Sequence, residues 1–285
     1  EFYEWLSNPS FEIVEKSSID NNNFVKKYGS WDIAYHEAGY VEDKNPFYLI
    51  ILTQKLIWDD KEKFEQQVEK YWLEDARRYY TNIVGKYGQQ VQNLLQKAST
   101  IDIEMICPLH GVIWRNNIEY IIEKYNKWSR YEFEEKSVLM IYSSVYGNTE
   151  NVVNTLSNYL GEKGIKNITI YDSSNTDVSY LVAESFKYSN IVIAATTYNL
   201  GLFPKIEEYL LDIKRQNLQN RTISIIENST WVSGIVTKEI NKILSEMKNI
   251  KVLEKTYSIK SSAKEHEYVD IKNIGDEIIE DLKNK

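Results

Sequence analysis

Residues 143–150, Ser-Ser-Val-Tyr-Gly-Asn-Thr-Glu, place small polar side chains and one glycine directly after an apolar run. In α/β proteins a turn between a strand and a helix is a common phosphate site, because backbone N–H groups and the helix dipole point at the anion. Ser144, Asn148 and Thr149 can add side-chain donors, and Gly147 lets the backbone approach a ligand closely. This segment, called the phosphate loop below, therefore predicts a phosphate site.

The composition of the phosphate loop narrows the kind of phosphate. The chain has no GxxxxGK[ST] motif, which excludes a nucleoside-triphosphate P-loop, and no GxGxxG motif, which disfavours a dinucleotide. No lysine or arginine lies inside the loop. Hydroxyl and amide donors without a cation suit a monophosphate such as that of FMN. The alternative is an ordinary strand–turn–helix in which Ser144, Asn148 and Thr149 only cap the helix.

Two further loops carry residues suited to a flat ring. Residues 194–204, Ala-Ala-Thr-Thr-Tyr-Asn-Leu-Gly-Leu-Phe-Pro, follow the third predicted strand, at the expected switch point of the sheet. Tyr198 can stack on a ring, and the backbone N–H groups near Asn199 and Gly201 can contact its nitrogen and carbonyl positions. Trp231, after the fourth strand, reaches the same rim; the alternative is that Trp231 is an ordinary surface aromatic.

The elements that position these loops can be read from the alternation of short apolar runs with helix-length segments. Continuous runs rich in valine and isoleucine are typical of parallel strands buried on both faces. The predicted strands are residues 138–142, 168–171, 191–196, 222–226 and 250–253, and the predicted helices are residues 152–160, 177–187, 204–215, 237–248 and 271–282. This α/β pattern predicts a doubly wound, five-stranded parallel sheet in a domain at residues 135–285.

Residues 1–134 form a less regular region before that domain. Helices are predicted at residues 58–80 and 89–99, and a strand ending in a loop at residues 105–111. The charged stretch at residues 130–136 is the best domain boundary.

The overall composition bounds the function classes. With 42% hydrophobic and 27% charged residues, the 285-residue chain is close to a globular average. Its net charge of −8 argues against nucleic-acid binding, and no apolar run approaches the ~20 residues of a membrane span. One cysteine, Cys107, excludes an internal disulfide framework and fits a reducing, cytoplasmic compartment.

The flavin-type loops resemble those of the flavodiiron proteins (A-type flavoproteins), whose C-terminal domain is flavodoxin-like. Residues 144–150 are similar to that family's phosphate loop, and residues 197–204 to its second FMN loop, with Thr196 where the family usually has proline. The resemblance implies FMN as cofactor. The residues expected to bind it are Ser144, Val145, Tyr146, Gly147, Asn148, Thr149, Thr197, Tyr198, Asn199, Gly201, Ser229, Thr230 and Trp231.

Residues 74–84 and 106–111 resemble the end of the same family's metallo-β-lactamase-like domain, so residues 1–134 are expected to be a partial domain of that type. In this family FMN passes electrons to a diiron centre that reduces oxygen or nitric oxide. The resemblance further implies a homodimer and a rubredoxin-like or other small electron donor.

The expected iron ligands are incomplete in this sequence. It contains three histidines and no HxExDH motif. The resemblance assigns His110 to the family's final ligand and, by rough position, His36 to a middle one. Lys55 aligns with the bridging aspartate, where a cation would repel iron. We therefore expect FMN, and a diiron site that is incomplete or lost.

Three functions remain open at this point. The first is an FMN-binding electron-transfer flavoprotein related to the flavodiiron oxygen and nitric oxide reductases. The second is an active reductase, an oxidoreductase of that type, whose metal site is completed by residues or a chain not present here. The third is a non-catalytic interaction or dimerisation module that keeps the fold.

Overall fold

The computed structural model describes residues 72–108 and 114–285. Two compact units divide the chain, and the larger consists of Arg77–Lys97 and Glu123–Lys285. The phosphate loop and the two loops predicted to contact a ring all lie in this larger unit. The domain boundary between residues 134 and 135 stays a prediction.

A mostly parallel sheet forms the centre of the larger unit. Its strands are β1 (Glu135–Tyr142), β2 (Thr169–Asp172), β3 (Tyr188–Tyr198), β4 (Gly201–Leu202), β5 (Arg221–Asn228), β6 (Ile250–Val252) and β7 (Tyr257–Ile259). The order is β2-β1-β3-β5-β6, and β7 pairs in parallel with the end of β5, so that β6 and β7 share the fifth position. This is the strand order of flavodoxin-like folds, which confirms the predicted fold class.

Helices cover both faces of this sheet. In chain order the helices are α1 (Leu73–Tyr79), α2 (Gly88–Ala98), α3 (Ile118–Ser129), α4 (Asn148–Glu162), α5 (Val178–Lys187), α6 (Pro204–Arg215), α7 (Ile235–Leu244) and α8 (Tyr268–Lys283). Apolar side chains of α4 and α8 form one core with the sheet, and those of α5, α6 and α7 form the other. Burial on both faces explains why the central strands read as continuous apolar runs.

Short elements account for most differences from the sequence prediction. The predicted fifth strand ends at Val252, and β7 resumes its place after four residues; a three-residue strand among polar neighbours carries no usable periodicity. Helix α3 was also not predicted. The strand expected from residue 105 forms a single bridge, between Ile106 and Trp114. The long helix expected at residues 58–80 lies mostly outside the described residues.

A buried ion-pair network lies within the larger unit, among residues that precede β1. Arg77 is 2% exposed and bonds to Glu134, which also accepts from the Trp128 indole at 2.9 Å and from Lys124 at 3.3 Å. Burial alone would raise the Glu134 pKa, but the hydrogen bond and charge of Arg77, with help from Trp128 and Lys124, lower it to about 2. Glu134 is therefore ionised at neutral pH, as a paired buried carboxylate should be.

None of the helices in the described part of the chain has the length and apolarity needed to cross a lipid bilayer.

Candidate functional site

A cavity of about 620 Å³ lies at the carboxyl edge of the sheet. The loops that follow β1, β3, β5 and β7 surround it. Its lining residues are Ser144, Val145, Tyr146, Asn148, Thr149, Thr196, Thr197, Tyr198, Asn199, Leu200, Asn228, Ser229, Thr230, Trp231, Val232 and Ser261. No lysine, arginine, aspartate or glutamate is among these lining residues, so the described wall carries no formal charge.

The structure brings together nearly all of the residues predicted from the three loops. Gly147 and Gly201 do not line the cavity, although their neighbours do. Five lining residues were missed: Thr196, Leu200, Asn228, Val232 and Ser261. The first four adjoin predicted residues, so wider loop bounds would have included them. Ser261 follows the unpredicted β7, and nothing in its local sequence points to the cavity.

The phosphate loop has the backbone geometry of an anion site. Gly147 directly precedes α4 and has φ 82° and ψ −9°, a left-handed conformation that favours glycine. Gly147 has no side chain to cap α4, and no other side chain in the described part of the chain accepts from the first α4 amides. The first amides of a helix have no acceptor within it, and they carry the positive end of the dipole. An anion at this position would satisfy them.

One side-chain hydroxyl supports the same conclusion. The Ser144 Oγ is buried and has no hydrogen-bond partner within the described residues. Buried hydroxyl groups nearly always have a partner, because leaving one unsatisfied costs about 1–3 kcal/mol. Since Ser144 lines the cavity beside the start of α4, its hydroxyl is placed to donate to a bound anion.

Asn228 ties the strand ends together behind this loop. Its amide Nδ2 donates to the Thr149 Oγ1 at 3.2 Å and to the Ser261 carbonyl at 3.0 Å. It therefore joins α4, β5 and the loop after β7. The Ser143 N–H donates to the Ala194 carbonyl at 2.9 Å, which fixes the start of the phosphate loop against β3. The cavity floor is thus held by hydrogen bonds between segments distant in sequence.

Three of the residues that line the cavity are aromatic and have large exposed areas. Trp231 is 93% exposed, Tyr146 88% and Tyr198 49%. Tyr198 contacts the Phe203 ring edge-on, with 6.1 Å between centroids. Large aromatics exposed together at a concave site are typical of a binding surface, because a stacked ring would remove their apolar area from water.

The loop that carries Tyr198 is a strained hairpin turn. Thr197 pairs with Leu202, and Tyr198 with Gly201, so that Asn199 and Leu200 form the turn. Their φ values are 47° and 59°, the combination that a type I′ turn requires. Asparagine tolerates this conformation, whereas leucine seldom adopts it. Backbone strain of this kind is commonest at functional sites. Here the strained residue Leu200 lines the cavity.

The residues considered for the iron site lie outside the described residues. They are the candidate ligands His36 and His110, and Lys55 at the position of the bridging aspartate. Within residues 72–108 and 114–285, no group of three or more histidine, cysteine, aspartate or glutamate side chains could hold a metal ion. The structure therefore assigns no iron ligand, and the expectation of an incomplete or lost diiron site stays a prediction.

Comparison with known proteins supports the family resemblance. No family model matches the chain. An uncharacterized protein of Methanocaldococcus jannaschii is 31% identical over 149 residues, which are 52% of this chain and 37% of that protein. The anaerobic nitric oxide reductase flavorubredoxin of Escherichia coli is 23% identical over 183 residues, which are 63% of this chain and 38% of that protein.

A solved structure shows the same fold. The rubredoxin oxygen:oxidoreductase of Desulfovibrio gigas superposes with a TM-score of 0.67 and 24% identity, over 73% of this chain and 52% of that one. The chain thus spans only about two fifths to one half of the length of these relatives. Together, the motifs, the strand order and these similarities make the chain a relative of the flavodiiron proteins with a flavodoxin-like part.

Proposed function

We propose that this chain binds FMN and transfers electrons through it. The observation that carries the proposal is the pairing of two features in one cavity. An uncapped helix start with the orphaned Ser144 hydroxyl suits a phosphate, and exposed aromatic side chains suit a flat ring. FMN is a ligand that combines a terminal phosphate with a flat ring.

The residues divide naturally between the two parts of the ligand. Ser144, Asn148 and Thr149 would hold the phosphate through hydroxyl groups and helix amides. Tyr198 and Trp231 would cover the ring and limit its contact with water. When bound, FMN supplies the redox chemistry, and the protein contributes binding, orientation and electrostatics. Since the described lining is uncharged, backbone dipoles would provide most of the electrostatic effect on the ring.

The proposal extends to the electron donor, the oligomeric state and the cellular location. The names of two relatives, a flavorubredoxin and a rubredoxin oxygen:oxidoreductase, support a rubredoxin-like or other small protein as electron donor. The net charge of −8 would make docking of such a donor sensitive to salt. A homodimer and a cytoplasmic location belong to the same proposal, and the lone Cys107 supports a reducing compartment.

The experiment is reconstitution of the purified chain with FMN, followed by gel filtration, an absorption spectrum and iron quantification on one sample. We expect retained flavin bands with negligible iron. A Tyr198→Ala, Trp231→Ala double variant should lose most of the flavin. Tyr268→Ala is the matched control, because Tyr268 is a 42% exposed tyrosine that does not line the cavity.

Other outcomes separate the alternatives. Flavin together with stoichiometric iron would support an active oxygen or nitric oxide reductase. Absence of flavin from the wild-type chain would contradict both redox functions and would leave an interaction module.

A further inference from the structure

Glu227 is a buried carboxylate at the end of β5, next to the cavity-lining Asn228. It is 1% exposed and follows the fully buried Ile225 and Ile226. Removing a carboxylate from water is unfavourable unless hydrogen bonds and favourable charges replace the lost hydration. The partners of Glu227 therefore indicate what this residue does.

Both oxygens of Glu227 accept backbone N–H groups at the start of α7. Oε1 accepts from the Gly234 amide, and Oε2 accepts from the Thr237 amide at 2.9 Å. Gly234 immediately precedes α7, with φ 91° and ψ −8°. The carboxylate thus occupies the positive end of the helix dipole, which compensates for its burial.

These two bonds close a loop that forms part of the cavity wall. The residues between Glu227 and Gly234 include Asn228, Ser229, Thr230, Trp231 and Val232, all of which line the cavity. We name residues 228–233 the tryptophan loop. Its other described hydrogen bonds include one from the Ser229 N–H to the Ile259 carbonyl at 2.9 Å. Trp231 itself is 93% exposed, so its position depends on the loop backbone rather than on packing.

We propose that Glu227 is a positioning residue for flavin binding: its carboxylate fastens the tryptophan loop to α7 and so sets where Trp231 meets the ring. This inference rests on the proposed FMN site. It concerns the ring rather than the phosphate, because Ser144, Asn148 and Thr149 belong to a different loop and helix. Asn228, which donates to Thr149, is held in β5 by its pairing with Thr196. Loss of the Glu227 hydrogen bonds should therefore weaken the binding of FMN and the binding of riboflavin by the same factor, since riboflavin lacks the phosphate but has the same ring.

The test is Glu227→Gln, which keeps the shape but replaces one acceptor oxygen with an NH₂ group facing an N–H donor. We expect the Kd of FMN and that of riboflavin both to rise about tenfold, measured by flavin fluorescence titration. In a Trp231→Ala background the same substitution should have almost no further effect, because Glu227 acts through Trp231. Asp177→Asn is the matched control, since Asp177 caps α5 through the Ser179 N–H at 3.0 Å and does not line the cavity.

Several outcomes would overturn the inference. Wild-type affinity in Glu227→Gln, weakening of FMN alone, or an equal effect in the Trp231→Ala background would each do so. If Glu227→Gln does not fold, Glu227→Asp keeps the charge on a shorter side chain and should weaken both flavins by a smaller common factor. Unchanged affinities in Glu227→Asp would overturn the inference as well. Failure of the wild-type chain to bind FMN would instead overturn the proposed function itself.

Discussion

The starts of α4 and α7 share one backbone design but differ in what satisfies it. Each helix begins directly after a left-handed glycine, Gly147 with φ 82° and Gly234 with φ 91°. At α7 the buried carboxylate of Glu227 accepts two of the first amides. At α4 no side chain among the described residues accepts from the first amides, and the Ser144 hydroxyl beside them has no partner there either.

Under the proposed function, one local structure serves stability at α7 and binding at α4. A helix start is an anion site by construction, because its amides lack acceptors and its dipole favours negative charge. At α7 the chain supplies the anion from its own strand, and the site is closed. At α4 the site faces a cavity, so the anion is expected to come from a ligand.

The largest expected effect on FMN binding comes from substituting the glycine that precedes α4. Gly147→Ala should reduce FMN affinity about 100-fold, because a left-handed alanine is strained and its relaxation would turn amides away from the phosphate. Riboflavin affinity should change far less. Titration of each flavin by fluorescence quenching measures both values.

Gly234→Ala is the matched control for that prediction. In both positions an added Cβ meets nothing within 4 Å, so the two substitutions differ in location rather than in crowding. Gly234→Ala can affect the ring through the tryptophan loop, but it should leave the ratio of FMN to riboflavin affinity unchanged. An equal loss of that ratio in both variants would contradict the assigned difference between the two helix starts.

A smaller effect on FMN binding is expected from removing the Ser144 hydroxyl, which has no hydrogen-bond partner within the described residues. Ser144→Ala should weaken FMN about tenfold, as expected for one hydrogen bond to a charged group, and should leave riboflavin unaffected. Isothermal titration calorimetry with each ligand is a suitable measurement.

Ser173→Ala provides the comparison for Ser144→Ala. The Ser173 Oγ is also buried without a described partner, but it does not line the cavity. This variant should bind FMN like the wild type. If Ser144→Ala behaved in the same way, the Ser144 hydroxyl would have no role in phosphate binding.

In the absence of flavin, the two glycine variants should lose similar stability. Each places an alanine at a positive φ, which costs about 1 kcal/mol or slightly more. Chemical denaturation of the flavin-free proteins measures the free energy of unfolding. A much larger loss for Gly147→Ala would mean that Gly147 serves the fold more than the ligand.

The smallest expected effect concerns salt. Because no lysine or arginine is among the described lining residues, the phosphate would be held by amides and hydroxyls, whose short-range bonds are little screened. FMN affinity should therefore change less than about threefold between about 50 mM and about 500 mM NaCl. A steep decrease would reveal a cation near the phosphate.

Much of this site could be predicted from sequence because its signals are local. The phosphate loop and Trp231 follow strands that are visible as apolar runs, and Tyr198 is the last residue of another such strand. Parallel strands end at one edge of a sheet. Ser261 could not be found in this way, because β7 is too short to show periodicity. The role of Glu227 could not be predicted, because the helix was expected to begin at residue 237. In the structure α7 begins at Ile235, directly after Gly234, whose amide donates to Glu227.

The expected metal residues show the opposite case. His36 and His110 were identified only through family resemblance, and they lie outside the described residues. Ligands brought together from distant segments have no local spacing rule in this sequence. The prediction of these two histidines as metal ligands therefore depends on analogy. The prediction of the flavin-binding loops depends instead on where strands end and helices begin.

The most direct test of the account is a comparison of FMN with riboflavin on the wild-type chain. The account predicts that both bind, and that FMN binds at least about 100-fold more tightly because its phosphate reaches the start of α4. Equal affinity for the two flavins would contradict the assignment of the uncapped helix start as a phosphate site.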